Sequence, residues 1–271
     1  MIQDTNTKKC FTIGYGDYPI DLFVNFLTKV GIDTIIDVRS SPYSKFNPYF
    51  NRENLENSLK RNNIGYRYMG DQIGGRYSNP NLLFPDGTVN YQKVRNTEIF
   101  QEGISQLLST ISCGKKIALM CAEKEPERCH RFALISRDLQ SKGINVIHIM
   151  PENKLKANKD LEKELMDSAI DTKQMNISDE PVNSVDLMYE KLNKKIAYKV
   201  KDYQTPADEA VPDNAVIQVT HDQNRIKCDE NQSMNFVSEP GFPLSPAIDI
   251  LPRSDSFTDK HLKKGVQQKL F

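Results

Sequence analysis

Short apolar runs alternate with longer segments in which apolar residues recur at helical spacing, as far as about residue 150. Apolar runs that end in glycine or polar turns are typical of strands buried on both faces. Strand candidates lie at 10–16, 34–38, 66–69, 116–121 and 145–149, and helix candidates at 20–30, 52–62, 91–112 and 126–141. This alternation predicts a Rossmann-like three-layer α/β domain over residues 1–150, with a mostly parallel five-stranded sheet.

The pattern weakens after residue 150. Residues 151–203 predict a weakly patterned helical extension, within which 154–170 reads as one charged amphipathic helix. Residues 204–259 are rich in Pro, Asp, Asn, Ser and Gln, a composition that buries too little apolar surface to offset its ordering entropy. We therefore expect a largely disordered linker there, followed by a basic tail at 260–271.

Composition narrows the class of protein. Basic and acidic residues both number 36, and residues 1–150 carry 19 basic and 15 acidic side chains. This mild excess is compatible with a phosphate-bearing ligand, but it is too small to indicate nucleic acid by itself. The sequence has no signal-peptide pattern and no apolar stretch of membrane-spanning length, and its cysteines form an odd set of 5. We expect a cytoplasmic protein without a membrane partner.

Polar residues collect where the predicted strands end. In an open parallel sheet, ligands bind outside the carboxyl ends of the strands, where loops and helix amino termini converge. The residues at this edge are Gly14, Tyr15 and Gly16 after the first strand, Asp37, Arg39 and Ser40 after the second, Gly74, Gly75 and Arg76 after the third, and Cys121 and Glu123 after the fourth, with Cys129, His130 and Arg131 opening the next helix.

Cys121 and Cys129 are the candidate nucleophiles. Backbone N–H groups and a nearby arginine can lower a thiol pKa and produce a reactive thiolate, and His130 is placed to act as its base. Asp37 and Glu123 are candidates for acid/base work. For Cys121 a purely structural role is equally open, because a cysteine that ends a buried strand is often a small core residue.

Ligand binding is predicted for the arginines and glycines at the same edge. Arg39, Arg76 and Arg131 can hold a phosphate or carboxylate in a bidentate manner, and glycines allow a ligand to approach the backbone. Asp37 and Arg39 alternate along a strand, so they point to opposite faces unless the chain has already turned. A structural role for both, as a buried ion pair and a turn cap, remains open.

The sequence predicts no metal site and identifies no cofactor. The spacing of Cys121, Cys129 and His130, C-x7-C-H, is not a standard zinc pattern, and no second pair of ligands follows it. Metal binding by these three residues is the less favoured alternative.

Four segments carry a family resemblance. They are Gly14-Tyr-Gly16, Asp37-Val-Arg-Ser-Ser-Pro-Tyr-Ser-Lys-Phe-Asn47, Gly70-Asp-Gln-Ile-Gly-Gly75 and Cys121-Ala-Glu-Lys-Glu-Pro-Glu-Arg-Cys-His-Arg131. Together they resemble the bacterial family described as domain of unknown function 488, over about residues 8–150. Ile73 stands where that family more often has leucine. The family has no settled activity, so the resemblance implies the fold and the site but no reaction.

The last residues of the sequence form a second motif. Gln267, Leu270 and Phe271 look like the Gln-x-x-Leu-Phe peptide by which bacterial replication and repair proteins bind the DNA sliding clamp. Such peptides seat Leu and Phe in apolar pockets while a flexible linker lets the attached domain search nearby.

These observations favour an enzyme-like protein of nucleic-acid metabolism, in DNA repair or modification, that the tail recruits to the sliding clamp. Nucleic acid or another phosphate-bearing ligand is the expected partner of the domain. Two alternatives stay open: a non-catalytic nucleotide- or phosphate-binding module, and a cytosolic thiol protein unrelated to DNA whose tail is a coincidence.

Overall fold

Six strands form one sheet in the part of the chain that the computed structural model describes, which is residues 8–171, 184–201 and 203. The strands are β1 Lys9–Gly14, β2 Thr34–Asp37, β3 Gly65–Tyr68, β4 Ile117–Cys121, β5 Asn145–Ile149 and β6 Leu155–Ala157. Their order is β3-β2-β4-β1-β5-β6, and all neighbours pair in parallel except β6, which runs antiparallel to β5. The predicted linker 204–259 and tail 260–271 lie outside the described residues.

Helices cover both faces of this sheet. The α-helices are α1 Ile20–Val30, α2 Arg52–Lys60, α3 Gly70–Ile73, α4 Tyr91–Arg95, α5 Glu98–Ser112, α6 Arg137–Ser141, α7 Asn158–Asp171 and α8 Ser184–Ile196, and a π-helix spans Arg131–Ser136. Residues of α1 and α2 pack on one face, and residues of the π-helix and the other α-helices pack on the opposite face. The three-layer, mostly parallel α/β fold is therefore confirmed. None of the described helices is long and apolar enough to cross a membrane.

The central strands are apolar on both faces because both faces are covered. All five residues of β4 are buried, and within it Leu119 faces one core while Met120 faces the other. The helices show the matching pattern: α1 buries Phe23 and Leu27 and ends at Gly31, whose φ of 74° lets its N–H cap the last turn. These local features explain why the sequence pattern located most of the elements.

The sheet has six strands rather than the predicted five, and the helix predicted over 154–170 begins later than expected. Residues 155–157 form β6, and the helix begins only at Asn158. This strand is too short to show a period of two, and it exists because it pairs with the edge of β5. The following helices pack on the main core through Leu161, Met188 and Tyr189, and the predicted domain boundary at residue 150 stays a prediction.

Two predicted helices are interrupted in the structure. The candidate at 91–112 divides into α4 and α5, because Thr97 accepts a hydrogen bond from the Phe100 N–H and so starts a new helix. The candidate at 126–141 contains a single 3-10 turn at Pro126–Arg128, then the π-helix and α6. π-Helical turns are frequent at functional sites, and this one begins directly after Cys129 and His130.

A buried histidine joins the sheet to the start of α7. His148 on β5 is 1% exposed, its Nδ1 lies 2.7 Å from the Thr12 hydroxyl and its Nε2 lies 3.0 Å from Asn158 Oδ1. The Asn158 oxygen only accepts, so Nε2 carries the proton and the ring is neutral when Nδ1 accepts from Thr12. Burial lowers the pKa of His148 to about 3.

This lowered pKa predicts a loss of stability in mild acid. Below about pH 6.5 the unfolded chain binds a proton at His148, whereas the folded protein does not, so the free energy of unfolding falls as the pH drops from 6.5 toward 3. The slope from this one group is up to ~1.4 kcal/mol per pH unit. We expect the free energy of unfolding, measured in urea at several pH values, to depend less steeply on pH for His148→Gln than for the wild-type protein. Identical pH dependences would contradict the assignment.

Candidate functional site

The site lies where the direction of the chain reverses within the sheet. From β1 the chain crosses to β2 by way of α1 on one face, whereas from β4 it crosses to β5 by way of the π-helix on the other. Adjacent strands whose helices leave to opposite faces open a crevice at their carboxyl ends. Backbone bonds continue past these ends, from Tyr15 N to Cys121 O at 3.1 Å and from Val38 N to Met120 O at 3.1 Å. These bonds hold the ends of β1, β2 and β4 together.

Two thiols meet one carboxylate at this crevice. Cys121 ends β4 and Cys129 precedes the π-helix, and both are free thiols, 4% and 2% exposed. Their Sγ atoms lie 2.8 Å and 3.1 Å from the same oxygen of Glu123, Oε2. Glu123 is the exposed member of the group, so it separates the two sulfurs from solvent.

His130 completes the cluster from the other side. Its Nδ1 lies 3.8 Å from the sulfur of Cys121 and 3.7 Å from that of Cys129. Its Nε2 lies 2.9 Å from the carbonyl oxygen of Val38, which can only accept, so Nε2 carries a proton. When the ring is neutral, Nδ1 therefore presents its lone pair to both sulfurs.

The surroundings of the two thiols shift their pKa values in opposite directions. The hydrogen bond with Cys129 and burial raise the pKa of Cys121. Burial also acts to raise the pKa of Cys129, but the hydrogen bond from Cys121 and the charges of Arg131 and His130 outweigh it and lower that pKa. Although Glu123 as a residue is exposed, its carboxylate is partly covered against the two sulfurs, and this desolvation raises its pKa. The proton of the thiol pair therefore stays on Cys121, and the negative charge is favoured on Cys129.

Arg131 holds the loop that carries Glu123. Its side chain is 1% exposed, NH1 donates to the Glu123 carbonyl at 2.6 Å, and NH2 donates to the Lys124 carbonyl at 2.9 Å. These two nitrogens have partners within the protein, and the ligand-binding role predicted for Arg131 stays a prediction.

Asp37 and Arg39 point the same way because the chain turns after β2. Asp37 Oδ2 accepts from Arg39 NH2 at 2.6 Å, and Asp37 Oδ1 accepts from Arg39 Nε at 2.9 Å. Asp37 is 0% exposed and also accepts a hydrogen bond from the Tyr66 hydroxyl at 2.8 Å. The structure therefore uses Asp37 in the buried ion pair that the sequence left open as an alternative to acid/base work.

One nitrogen of Arg39 is left over. The side chain is 5% exposed, and NH1 is buried without a hydrogen-bond partner among the described residues. The guanidinium lies over the Tyr15 ring, 5.4 Å from its centre, and Tyr15 stacks on Phe50 at 4.2 Å. Arg39 is thus held in place on one side by a carboxylate and on the other by an aromatic ring.

The glycines at the edge are required by the protein's own packing. A Cβ on Gly14 would lie 1.8 Å from the Glu123 carbonyl oxygen, and one on Gly75 would lie 2.8 Å from Cγ of His130. Gly16 and Gly74 lie beside them. These positions allow the loops to close on the cluster, so close approach of a ligand is not needed to explain them.

The loop from β3 also reaches the β2 end. The Arg76 N–H donates to the Ser40 hydroxyl at 3.0 Å, while the Arg76 side chain is exposed and lies over the ring of Tyr198. The structure therefore brings Ser40 and the Gly74–Arg76 loop to the predicted edge.

Sequence reasoning missed the aromatic residues around the site. The pattern places Tyr66 in a strand but does not indicate that its hydroxyl donates to the buried Asp37. Tyr43, Phe46 and Tyr49 follow β2 and are 56%, 100% and 66% exposed. Their signal was present in the sequence, as three aromatic residues within a short loop beside Lys45 and a candidate site.

The cluster also has the composition of a metal-binding group. Among the described residues, Cys121, Cys129 and His130 form one group of three potential ligands, whose donor atoms all lie within 4.8 Å of one another. The oxygen of Glu123 that contacts both sulfurs is a further potential donor.

Replacing Tyr66 tests the buried ion pair. We expect Tyr66→Phe to lower the free energy of unfolding by ~1.5–3 kcal/mol, because it removes a hydrogen bond to a charged, buried carboxylate. Tyr68→Phe is the matched control on the same strand: its hydroxyl donates to the neutral Ser40 carbonyl at 3.2 Å, and its loss should cost ~0.5–1.5 kcal/mol. Urea unfolding measures both, and an equal or larger loss in Tyr68→Phe would contradict the view that Asp37 depends on Tyr66.

Comparisons with known proteins agree with the resemblance on its central part. No curated protein and no solved structure matches the chain. Residues 19–137 match the family model described as "Domain of unknown function DUF488". The matched range contains three of the four segments that carry the resemblance, and Gly14–Gly16 lies just before it. The segment from the start of α1 to the first residue of α6, including the cluster at Cys121, Cys129 and His130, is thus similar to that family.

Proposed function

We propose that this protein is an enzyme-like component of nucleic-acid metabolism that binds a phosphate-bearing substrate at the carboxyl edge of its sheet. The observation that carries the proposal is the meeting of two sulfurs, an imidazole nitrogen and a carboxylate oxygen at one point of the crevice. Groups that titrate and that are buried against one another in a cleft are characteristic of reactive centres.

Each member of the cluster has a distinct part in this proposal. Glu123 faces solvent and has a raised pKa, so it is the group placed to exchange a proton with a bound substrate. The sulfur of Cys129 carries the negative charge of the centre, and Cys121 and His130 stabilise that charge from either side. Arg131 keeps the Glu123 loop in position through its two carbonyl contacts.

Arg39 supplies the anion-binding part. A buried guanidinium nitrogen without a partner is unfavourable unless a ligand atom satisfies it. Asp37 and Tyr15 keep this guanidinium rigid, so little conformational entropy is lost when a phosphate oxygen binds to NH1. Ser40 and Arg76 stand on the same edge and extend the site toward solvent.

The exposed aromatic loop favours a nucleic-acid substrate over a small phosphate ester. Tyr43, Phe46 and Tyr49 expose rings on which unpaired bases can stack, and Lys45 lies among them. Single-stranded nucleic acids are bound by this combination of aromatic rings and positive charge. The loop follows β2, so a single-stranded nucleic acid whose bases stack on it would extend toward Arg39.

Binding of a labelled single-stranded oligonucleotide tests this assignment. We expect Phe46→Ala to weaken binding about 5- to 150-fold, because stacking of one base on an aromatic side chain contributes ~1–3 kcal/mol. Fluorescence anisotropy with the full chain measures the affinity. Leu155→Ala is the matched control, since Leu155 is another exposed apolar side chain, 54% exposed, on β6 at the far edge of the sheet.

The outcomes separate the alternatives. If Phe46→Ala and Leu155→Ala bind the oligonucleotide equally well, the aromatic loop does not bind it. If the wild-type chain binds no oligonucleotide at all, the nucleic-acid assignment is wrong, and a cytosolic thiol protein unrelated to DNA becomes the better description.

Recruitment to the DNA sliding clamp is a second part of the proposal, and it rests on the sequence alone. Gln267, Leu270 and Phe271 carry the Gln-x-x-Leu-Phe pattern, and Lys263 and Lys264 precede it. The two apolar residues would fill pockets on the clamp, and the tether would raise the local concentration of the domain at DNA.

Binding to the purified clamp tests this part. We expect the full chain to bind with micromolar affinity and the double variant Leu270→Ala, Phe271→Ala to lose binding, because each side chain removed leaves an apolar pocket empty. Gln268→Ala, at a position where the motif accepts any residue, serves as the control. Calorimetry or surface plasmon resonance measures the affinities, and equal binding by all three proteins would exclude this peptide as the contact.

A further inference from the structure

The two sulfurs and the imidazole nitrogen of the cluster are spaced in a way that resembles the ligands of a tetrahedral metal centre. In such a centre Zn–S distances are about 2.3 Å and Zn–N distances about 2.0–2.1 Å, which places a sulfur and a nitrogen ligand about 3.6 Å apart. His130 Nδ1 lies 3.8 Å from Cys121 Sγ and 3.7 Å from Cys129 Sγ. These separations are close to the tetrahedral value, and all three donor atoms lie within 4.8 Å of one another.

The orientation of His130 is the second feature. A histidine that binds a metal usually donates its other N–H to a backbone carbonyl or carboxylate, which fixes the tautomer and the plane of the ring. His130 Nε2 donates to the Val38 carbonyl at 2.9 Å, and Gly75 packs against Cβ and Cγ of the same ring. When the ring is neutral, the lone pair on Nδ1 is thereby directed at the two sulfurs.

The burial of the donor atoms is the third feature. Two sulfurs and an imidazole nitrogen converge at a place where both cysteines are less than one-twentieth exposed. Arg131 donates from two of its nitrogens to the carbonyls of Glu123 and Lys124, which holds the loop over these atoms. Sulfur and nitrogen donors of this kind are the ligands that thiophilic metal ions prefer.

We infer that Cys121, Cys129 and His130 bind one zinc-class divalent cation, with Glu123 at the fourth position. Two sulfurs and one imidazole nitrogen select a thiophilic metal rather than Mg²⁺ or Ca²⁺. The Glu123 oxygen lies 2.8 Å and 3.1 Å from the sulfurs, closer than a coordinated carboxylate would, so metal binding moves this exposed side chain outward by a fraction of an ångström.

This inference rests on the proposed function, because it identifies the proposed reactive centre as a metal site. A centre with three protein ligands and a displaceable fourth group is the catalytic type of zinc site. Displacement of Glu123 by a phosphate oxygen of the substrate would leave its carboxylate free to exchange a proton nearby. The substrate class therefore comprises ligands that bind the metal through an anionic oxygen.

Titration of the metal-stripped full chain with Co²⁺ tests the inference, since Co²⁺ replaces Zn²⁺ and reports its ligands by absorption. We expect one equivalent to give a thiolate-to-cobalt charge-transfer band together with intense visible bands of tetrahedral cobalt, both removed by added Zn²⁺. Elemental analysis of the Zn²⁺-loaded protein should give one zinc per chain.

Variants assign the ligands. Cys129→Ser and His130→Gln should weaken metal binding at least ~100-fold, and Glu123→Gln about tenfold, because removal of even an outer-shell partner costs 10- to 100-fold. Cys10→Ala is the matched control: Cys10 is also a buried free thiol, and burial raises its pKa to about 12, but it lies on β1 outside the cluster. Circular dichroism checks that each variant folds, and the exposed Glu123→Gln and the wild-type protein keep the test valid if a buried variant does not.

A wild-type chain that shows no charge-transfer band, or a Cys10→Ala variant that loses the band as fully as Cys129→Ser, would overturn the inference. Because no nucleic acid is present in these titrations, the result is independent of oligonucleotide binding. Metal binding without oligonucleotide binding would leave the metal site standing while the proposed function fails, and the reverse result would do the opposite.

Discussion

The hydrogen bond from His130 to the Val38 carbonyl is the interaction on which the site depends. It joins the residue before the π-helix to the residue after β2, so the π-helix is fixed to the sheet at the crevice. It also sets the protonation of the ring, because a carbonyl accepts and never donates. Without it, Nδ1 would have no fixed direction toward the two sulfurs.

Around this bond the site has two parts with different physical roles. The ion pair of Asp37 and Arg39 is buried, and its guanidinium nitrogen NH1 has no hydrogen-bond partner among the described residues. The cluster of Cys121, Cys129 and Glu123 brings two sulfurs within hydrogen-bond distance of one carboxylate oxygen. Both parts lie at the carboxyl ends of neighbouring parallel strands, β2 and β4, and therefore at the same edge of the sheet.

The edge of the sheet was predictable in its composition but not in its contacts. Parallel strands place their carboxyl ends together, so reading the residues after each apolar run was enough to collect Arg39, Glu123 and His130 at one edge. Which of them touch depends on loop paths over tens of residues. The turn after β2 pairs Asp37 with Arg39, and the 3-10 turn and π-helix after β4 return Cys129 to within reach of Cys121. A spacing of C-x7-C-H carries no standard signature because a folded loop, rather than a local motif, brings the donors together.

By itself the sequence determined the α/β class, the five parallel strands to within two residues and the edge where polar residues collect, since burial on two faces produces a local apolar pattern. Tertiary structure decided the strand order β3-β2-β4-β1-β5-β6, the addition of β6, and the division of the long helical segments. These features depend on pairing and packing between residues far apart in the chain, which local periodicity does not record. The same reason applies to the site, where His130 and Val38 lie 92 positions apart and yet set its geometry.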